Sequence, residues 1–343
     1  MSDSKYSRIN YSMELFKIIA AFAVVFSHVR FPGRTGAIVN SICRFAVPFF
    51  FALSGYFSFN ADEIRIKKRL FHILKIMLIA SLFYALWGCF TTKWVSHGSR
   101  LQYLKGRLDL HHIALWLFME MNPFAPHLWY LSSMAVTYLL YYIYTAFWKE
   151  KEISYSYLYL FAGAALLFQL VFGLKAPGVS LDVDYKIYRN SLFFGLPVFS
   201  MGLFIREYKD RLLYVFNLTS KKAFLLILIG TALSPVQWLG IGQAEVPVGS
   251  FLDVFIILLL LAEHPDPFPN NNLRKCILLL GNASLIVYII HPFFHDLFKL
   301  LAKKEGFAAF IVSHGYVYPF FIAVISSATG ILYSLILGML KKN

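Results

Sequence analysis

The sequence predicts an all-α, polytopic transmembrane helix bundle of about ten spanning helices plus a short interfacial or re-entrant segment. Three observations predict it. Apolar residues make up 59% of the 343 positions and charged ones only 15%, where an ordinary soluble domain is about a quarter charged. Phe and Tyr are abundant, at 35 and 21, more than a soluble core needs. A bilayer accounts for them, because apolar side chains can face lipid instead of a core. Finally, the apolar residues gather into long runs separated by short basic segments.

The first run, 12–29, follows a polar start and carries Glu14, Lys17 and His28. It is interrupted by charge and ends in Ser27-His28-Val29-Arg30 without small residues at a cleavage-like spacing, so a retained helix is expected rather than a cleaved leader. Further runs lie at 37–59, 70–92, 126–148, 155–173, 189–206, 222–242, 247–263, 276–297 and 314–339. Residues 111–121 are apolar but too short to span, and they supply the interfacial or re-entrant piece. The sequence contains no internal repeat and no Gly/Ser linker, so residues 1–343 read as a single membrane domain.

Orientation follows from the basic loops. With the N-terminus inside, the cytoplasmic side collects Arg65, Lys67, Lys68, Arg69, Arg206, Lys209, Arg211, Lys221, Lys222, Arg274 and Lys275, together with Lys341 and Lys342 near the C-terminus. The other side holds fewer, so both termini are expected to be cytoplasmic, in a multi-pass protein of the cell (inner) membrane. The net charge of +14 is spread between apolar runs rather than set in one polar stripe, which points to lipid headgroups and away from nucleic acid. Cys43, Cys89 and Cys276 lack metal-ligand or disulfide-framework spacing, and no metal is expected.

The first helix carries the chemistry. An ionisable side chain inside lipid costs roughly 2.5–3.5 kcal/mol at mid-helix on insertion scales. His28 lies eleven positions after Lys17, about three helical turns, so both point the same way some 16 Å apart. Glu14, three residues before Lys17, can pair with it. A snorkelling interfacial pair with a surface histidine is the bland alternative. Three ionisable groups on one face of an apolar helix favour a polar cavity or bundle interior instead.

The stretch from Met13 to His28 resembles the first helix of the acyltransferase-3 family of membrane acyltransferases, with its basic residue, ten intervening residues and histidine. Three more segments agree in order. Ala46–Phe57 resembles a Phe-rich run ending in Ser-Gly, His127–Leu131 a His-Leu-Trp segment, and Leu280–Pro292 a late helix ending in His-Pro. The family usually carries Arg where this chain has Lys17, which keeps the charge but not the planar fork. Lys17, Arg44-Phe-Ala-Val-Pro48 and Arg189–Phe194 also resemble the membrane part of serine/alanine racemases.

The resemblance implies an O-acyltransferase, most often an O-acetyltransferase of bacterial surface polysaccharides, with acetyl-CoA as acyl donor and a glycan or lipid-linked saccharide as acceptor. His28 then suits the base, with Lys17 and Glu14 in the catalytic set. Arg65, Lys68 and Arg69 would meet the donor's phosphates, although the same residues also serve the topology signal. Ser54, beside Gly55, would stand where a small residue admits a close helix or a ligand. By the topology, His28, His127, His291, Arg44 and Arg189 fall toward one depth on the outer side, and with Trp129 they form the expected substrate-binding group. An interfacial belt around His127 and Trp129, and a capped kink at His291-Pro292, are the structural alternatives. The competing function is a transporter or exporter of a small polar or lipid-linked molecule, using the same buried charges as a pathway.

Overall fold

The fold comes from a computed structural model, which describes residues 9–148, 154–173, 189–240, 246–304 and 306–340. Lys341 and Lys342 lie outside the described residues. The described chain is helical, without strands among those residues.

The helices run in the order α1 (Tyr11–His28), α2 (Gly33–Cys43), α3 (Ala46–Tyr56), α4 (Glu63–Trp94), α5 (Arg100–Arg107), α6 (Leu110–Met119) and α7 (Trp129–Phe147). Then follow α8 (Ser156–Gly173), α9 (Leu196–Phe216), α10 (Ser220–Gly240), α11 (Val248–Glu263), α12 (Asn271–Leu301), α13 (Phe307–Ser313) and α14 (Tyr318–Leu340). A 3₁₀ turn (Pro126–Leu128) leads into α7, and a π-helical turn (Ser191–Gly195) leads into α9.

Among the described residues, six helices are long and apolar enough to cross a membrane, not clearly ten. They correspond to α1, α2 with α3, α4, α10, α12 and most of α14. The other four predicted runs are helical but fall short of a span. α7 is diluted by Tyr, Ser and Thr. α8 is apolar along its 18 residues, Ser156–Gly173, about 27 Å. α9 carries Arg206, Glu207, Lys209, Asp210 and Arg211 in its second half. α11 has 16 residues, about 24 Å against a hydrocarbon core of about 30 Å. α6, with 10 residues, reaches about 15 Å and matches the short segment expected there.

The chain divides into two compact units, residues 1–50 with 208–343, and residues 51–207. In the first, α1, α12 and α14 pack around a core of Ile18, Ala21, Val25, Val287, Ile322 and Ala323. α10 and α11 form a hairpin, and α2 packs against α10. In the second, α4 packs on α7, and the π turn packs on α7 and α8. Its α3–α9 crossing is close because it is built on glycine: a Cβ at Gly202 would stand 1.8 Å from the Ala52 carbonyl oxygen, and one at Gly55 1.9 Å from that of Phe199. Small residues permit such backbone approach.

Candidate active site

In the first unit, α1 starts on a cap: Asn10 accepts from the Met13 amide at 2.8 Å and donates to the Leu261 carbonyl at the end of α11. One turn in, Lys17 Nζ lies 2.7 Å from Glu14 Oε2, with both side chains about one-fifth exposed. The carboxylate rests on the backbone of α12, since a Cβ at Gly281 would come within 2.3 Å of Glu14 Oε2. The predicted pair therefore exists. Gly281 supplies the space it occupies.

At the far end of α1, His28 is the last helical residue and is exposed. Its ring centroid is 5.2 Å from that of His291, which is fully buried on α12. His291 Nδ1 is 3.1 Å from the Val287 carbonyl. A carbonyl only accepts, so Nδ1 is the donor in this contact. Pro292 sits inside α12 directly after it. The Tyr288 ring centroid lies 6.4 Å from that of His291. Arg44, between α2 and α3, donates from Nε to Asn40 Oδ1 at 3.3 Å, and Asn40 donates to the Ser27 carbonyl at 2.8 Å. Arg44 is thus tied through one side chain to the turn that carries His28.

The second unit brings together another part of the predicted set. His127 is buried in the 3₁₀ turn, edge-on to the Tyr84 ring at 4.9 Å. Trp129 opens α7, and the Arg189 guanidinium lies over its ring at 5.8 Å. Phe194 of the π turn meets the same ring at 5.8 Å. His28, His291 and Arg44 belong to one unit; His127, Trp129 and Arg189 belong to the other.

The basic segment at the start of α4 divides by role. Arg69 donates to the Phe57 carbonyl at 2.9 Å and to Ser58 Oγ at 2.6 Å, while Tyr141 donates to the Ser58 carbonyl at 2.8 Å. Arg69 therefore fastens the chain after α3. Arg65 pairs with the capping Asp62 at 3.1 Å and remains largely exposed, and Lys67 pairs with Glu63 at 2.9 Å. Lys68 is exposed. Ser54 is half-buried on α3, and its carbonyl accepts from Ser58 Oγ at 2.7 Å. Among the described residues no group of three or more His, Cys, Asp or Glu side chains could hold a metal ion.

Two buried acids escaped the sequence reading. Glu120, 4% exposed, adopts φ 60° at the end of α6 and accepts from the Ser191 amide at 2.7 Å and from its hydroxyl. Its signal was one acid among apolar residues in Phe118-Met119-Glu120-Met121. Asp253, 2% exposed in α11, accepts from Thr231 Oγ1 of α10 at 3.2 Å. A Cβ at Gly230 would stand 2.1 Å from Asp253 Oδ1. Such a bond is polar glue between apolar helices.

A serine/alanine racemase of Enterococcus gallinarum is 26% identical over 311 residues, covering 83% of this chain and 40% of that protein. The chain thus spans well under half the length of the curated relative it matches. No solved structure matches it. A family described as an acyltransferase domain matches residues 10–339, across both units. Such a domain implies an acyl donor and an acceptor, and the apolar helices imply a membrane setting. Matched over nearly its whole length, the chain belongs to the acyltransferase-3 family.

Proposed function

We propose that this protein is an O-acetyltransferase of the cell membrane that moves an acetyl group from cytoplasmic acetyl-CoA to a hydroxyl of an extracytoplasmic glycan or lipid-linked saccharide. The observation that carries the reading is the histidine pair at the end of α1. His28 is exposed, and its ring lies 5.2 Å from that of the buried His291. An exposed imidazole at a helix end is placed to meet a hydroxyl, and histidine is the side chain most often used for such proton transfer.

His28 removes the hydroxyl proton as the acceptor oxygen attacks the thioester carbonyl. The carbon–sulfur bond breaks, and the CoA thiolate leaves with the proton that His28 gives up. The product is an ester plus free CoA thiol. His291, held by the Val287 carbonyl, limits the ring positions open to His28. Lys17 with Glu14 lies nearer the cytoplasmic end of α1 and contacts the donor's chain. Arg44, His127, Trp129 and Arg189 bind the acceptor. Arg65 and Lys68, exposed on α4, meet the donor's phosphates, with Ser54 beside the donor path, whereas Arg69 acts on that segment by holding its backbone.

The test compares purified wild type and His28→Ala in detergent or nanodiscs, reading thiol release from acetyl-CoA with a saccharide acceptor. A base of this kind contributes about 10²–10⁴-fold, so a loss of about 100-fold or more is expected. Full activity in the variant sinks the role of His28. A wild type that consumes no donor with any glycan favours the transport reading instead.

A further inference from the structure

Glu120 is a residue that the acetyl-transfer chemistry does not use and that local structure does not favour. It holds φ 60°, ψ 20° just after α6, a left-handed position that Gly or Asn adopts more readily. It is also 4% exposed, in a chain whose surroundings are apolar. An off-region backbone together with a buried carboxylate costs free energy twice, and such costs persist where the surrounding structure requires them.

The requirement is visible in what the carboxylate holds. Its two oxygens take the amide and the hydroxyl of Ser191, the first residue of the π turn. Asn190 caps that same turn, accepting from the Phe193 amide at 2.9 Å. Immediately before it stands Arg189, over the ring of Trp129 at 5.8 Å, and within the turn Phe194 meets the same ring. On the other flank, Asn122 accepts from the Phe124 and Ala125 amides at 3.0 and 3.2 Å and donates to Ser81 Oγ at 2.6 Å. The segment from 120 to 129 is thereby fixed to α4, and Glu120 fixes the start of the π turn to that segment. Single π turns occur frequently at functional sites.

We infer that Glu120 is a positioning residue: by clamping Ser191 it sets the guanidinium of Arg189 over Trp129 and so shapes the subsite for the acceptor. This rests on the assignment of Arg189 to acceptor binding. A clamp of this kind acts on the binding of the acceptor, so its loss raises KM for the saccharide more than it lowers kcat, and it leaves the KM for acetyl-CoA in place.

The test uses the full chain in nanodiscs and four proteins: wild type, Glu120→Gln, Arg189→Ala and the double variant. Gln keeps the size and one acceptor oxygen, so folding is preserved, and the melting temperature checks this. Hydrogen exchange of the 190–195 peptide is read alongside thiol release from acetyl-CoA at varied acceptor concentration. The expected result is faster exchange at Ser191 in E120Q and an acceptor KM raised about tenfold. The double variant is then no worse than R189A, with Glu120→Asp intermediate.

Multiplicative losses in the double variant, or a normal acceptor KM in E120Q with faster exchange, overturn the inference. Unchanged exchange in E120Q also overturns it, because the clamp would then hold nothing. A wild type that releases no thiol from acetyl-CoA overturns the acetyltransferase reading instead, and the exchange measurement still decides whether Glu120 holds the turn.

Discussion

Lys17 and Glu14 show how a single ion pair is tolerated among apolar helices. Each side chain is about one-fifth exposed, and the pair closes at 2.7 Å. The carboxylate fills the space left by the missing side chain of Gly281. Removing only one partner leaves an uncompensated charge in a poorly solvated place, which costs more than removing both. Lys17→Met is therefore expected to lower the melting temperature more than Lys17→Met combined with Glu14→Gln. A loss in the double variant as large as in Lys17→Met would show that the unpaired Glu14 carboxylate carries no such cost. Lys17→Arg keeps the charge and is expected to retain stability; its effect on activity tests the proposed contact of Lys17 with the donor. This residue-scale pattern was readable in advance, because i,i+3 spacing on a helix fixes the neighbour whatever the tertiary structure. Gly281 was not, since a glycine against a distant carboxylate leaves no periodic trace.

Elements were legible where the hydrophobic run was long and uninterrupted. α1, α4, α10 and α12 fall where the runs at 12–29, 70–92, 222–242 and 276–297 place them, with α4 and α12 extending well beyond theirs. The run at 37–59 is a different case, because the chain forms two helices that break at Arg44 and Phe45. Pro48, in the first turn of α3, has no N–H to offer the Arg44 carbonyl, so a continuous helix loses a bond there. The break sets Arg44 in the corner between α2 and α3. The π turn ahead of α9 was invisible to periodicity, since it depends on Glu120, far away in sequence. The small residues of the Ser54-Gly55 segment predict a close approach, and the α3–α9 crossing has it. Gly202→Ala is expected to destabilise by about 1–3 kcal/mol, as overpacking does, because its Cβ would meet backbone rather than a movable side chain. Thermal unfolding in nanodiscs measures this, and an unchanged midpoint would show that α3 and α9 can separate without loss.

At the scale of the whole molecule, the net charge of +14 raises the question of which cations serve the donor and which serve the fold. Under the proposed acetyl transfer, the start of α4 would separate the two by geometry. Arg69 spends its guanidinium on the Phe57 carbonyl and Ser58, so Arg69→Ala is expected to lower thermal stability first. Lys68 is exposed on the same helix, and Arg65 is largely exposed beside Asp62. A CoA nucleotide carries several negative charges, and exposed cations act on such a ligand through a field that salt screens. Lys68→Glu is accordingly expected to raise KM for acetyl-CoA several-fold with kcat and melting temperature near wild type. The wild-type KM should rise as ionic strength approaches about 1 M, where the Debye length falls to about 3 Å. In the charge-reversed protein that dependence flattens, because the attraction being screened is already gone. A KM indifferent to both salt and Lys68→Glu would move the donor's phosphates away from α4. The basic segment would then serve only as a charge signal for the helix's orientation.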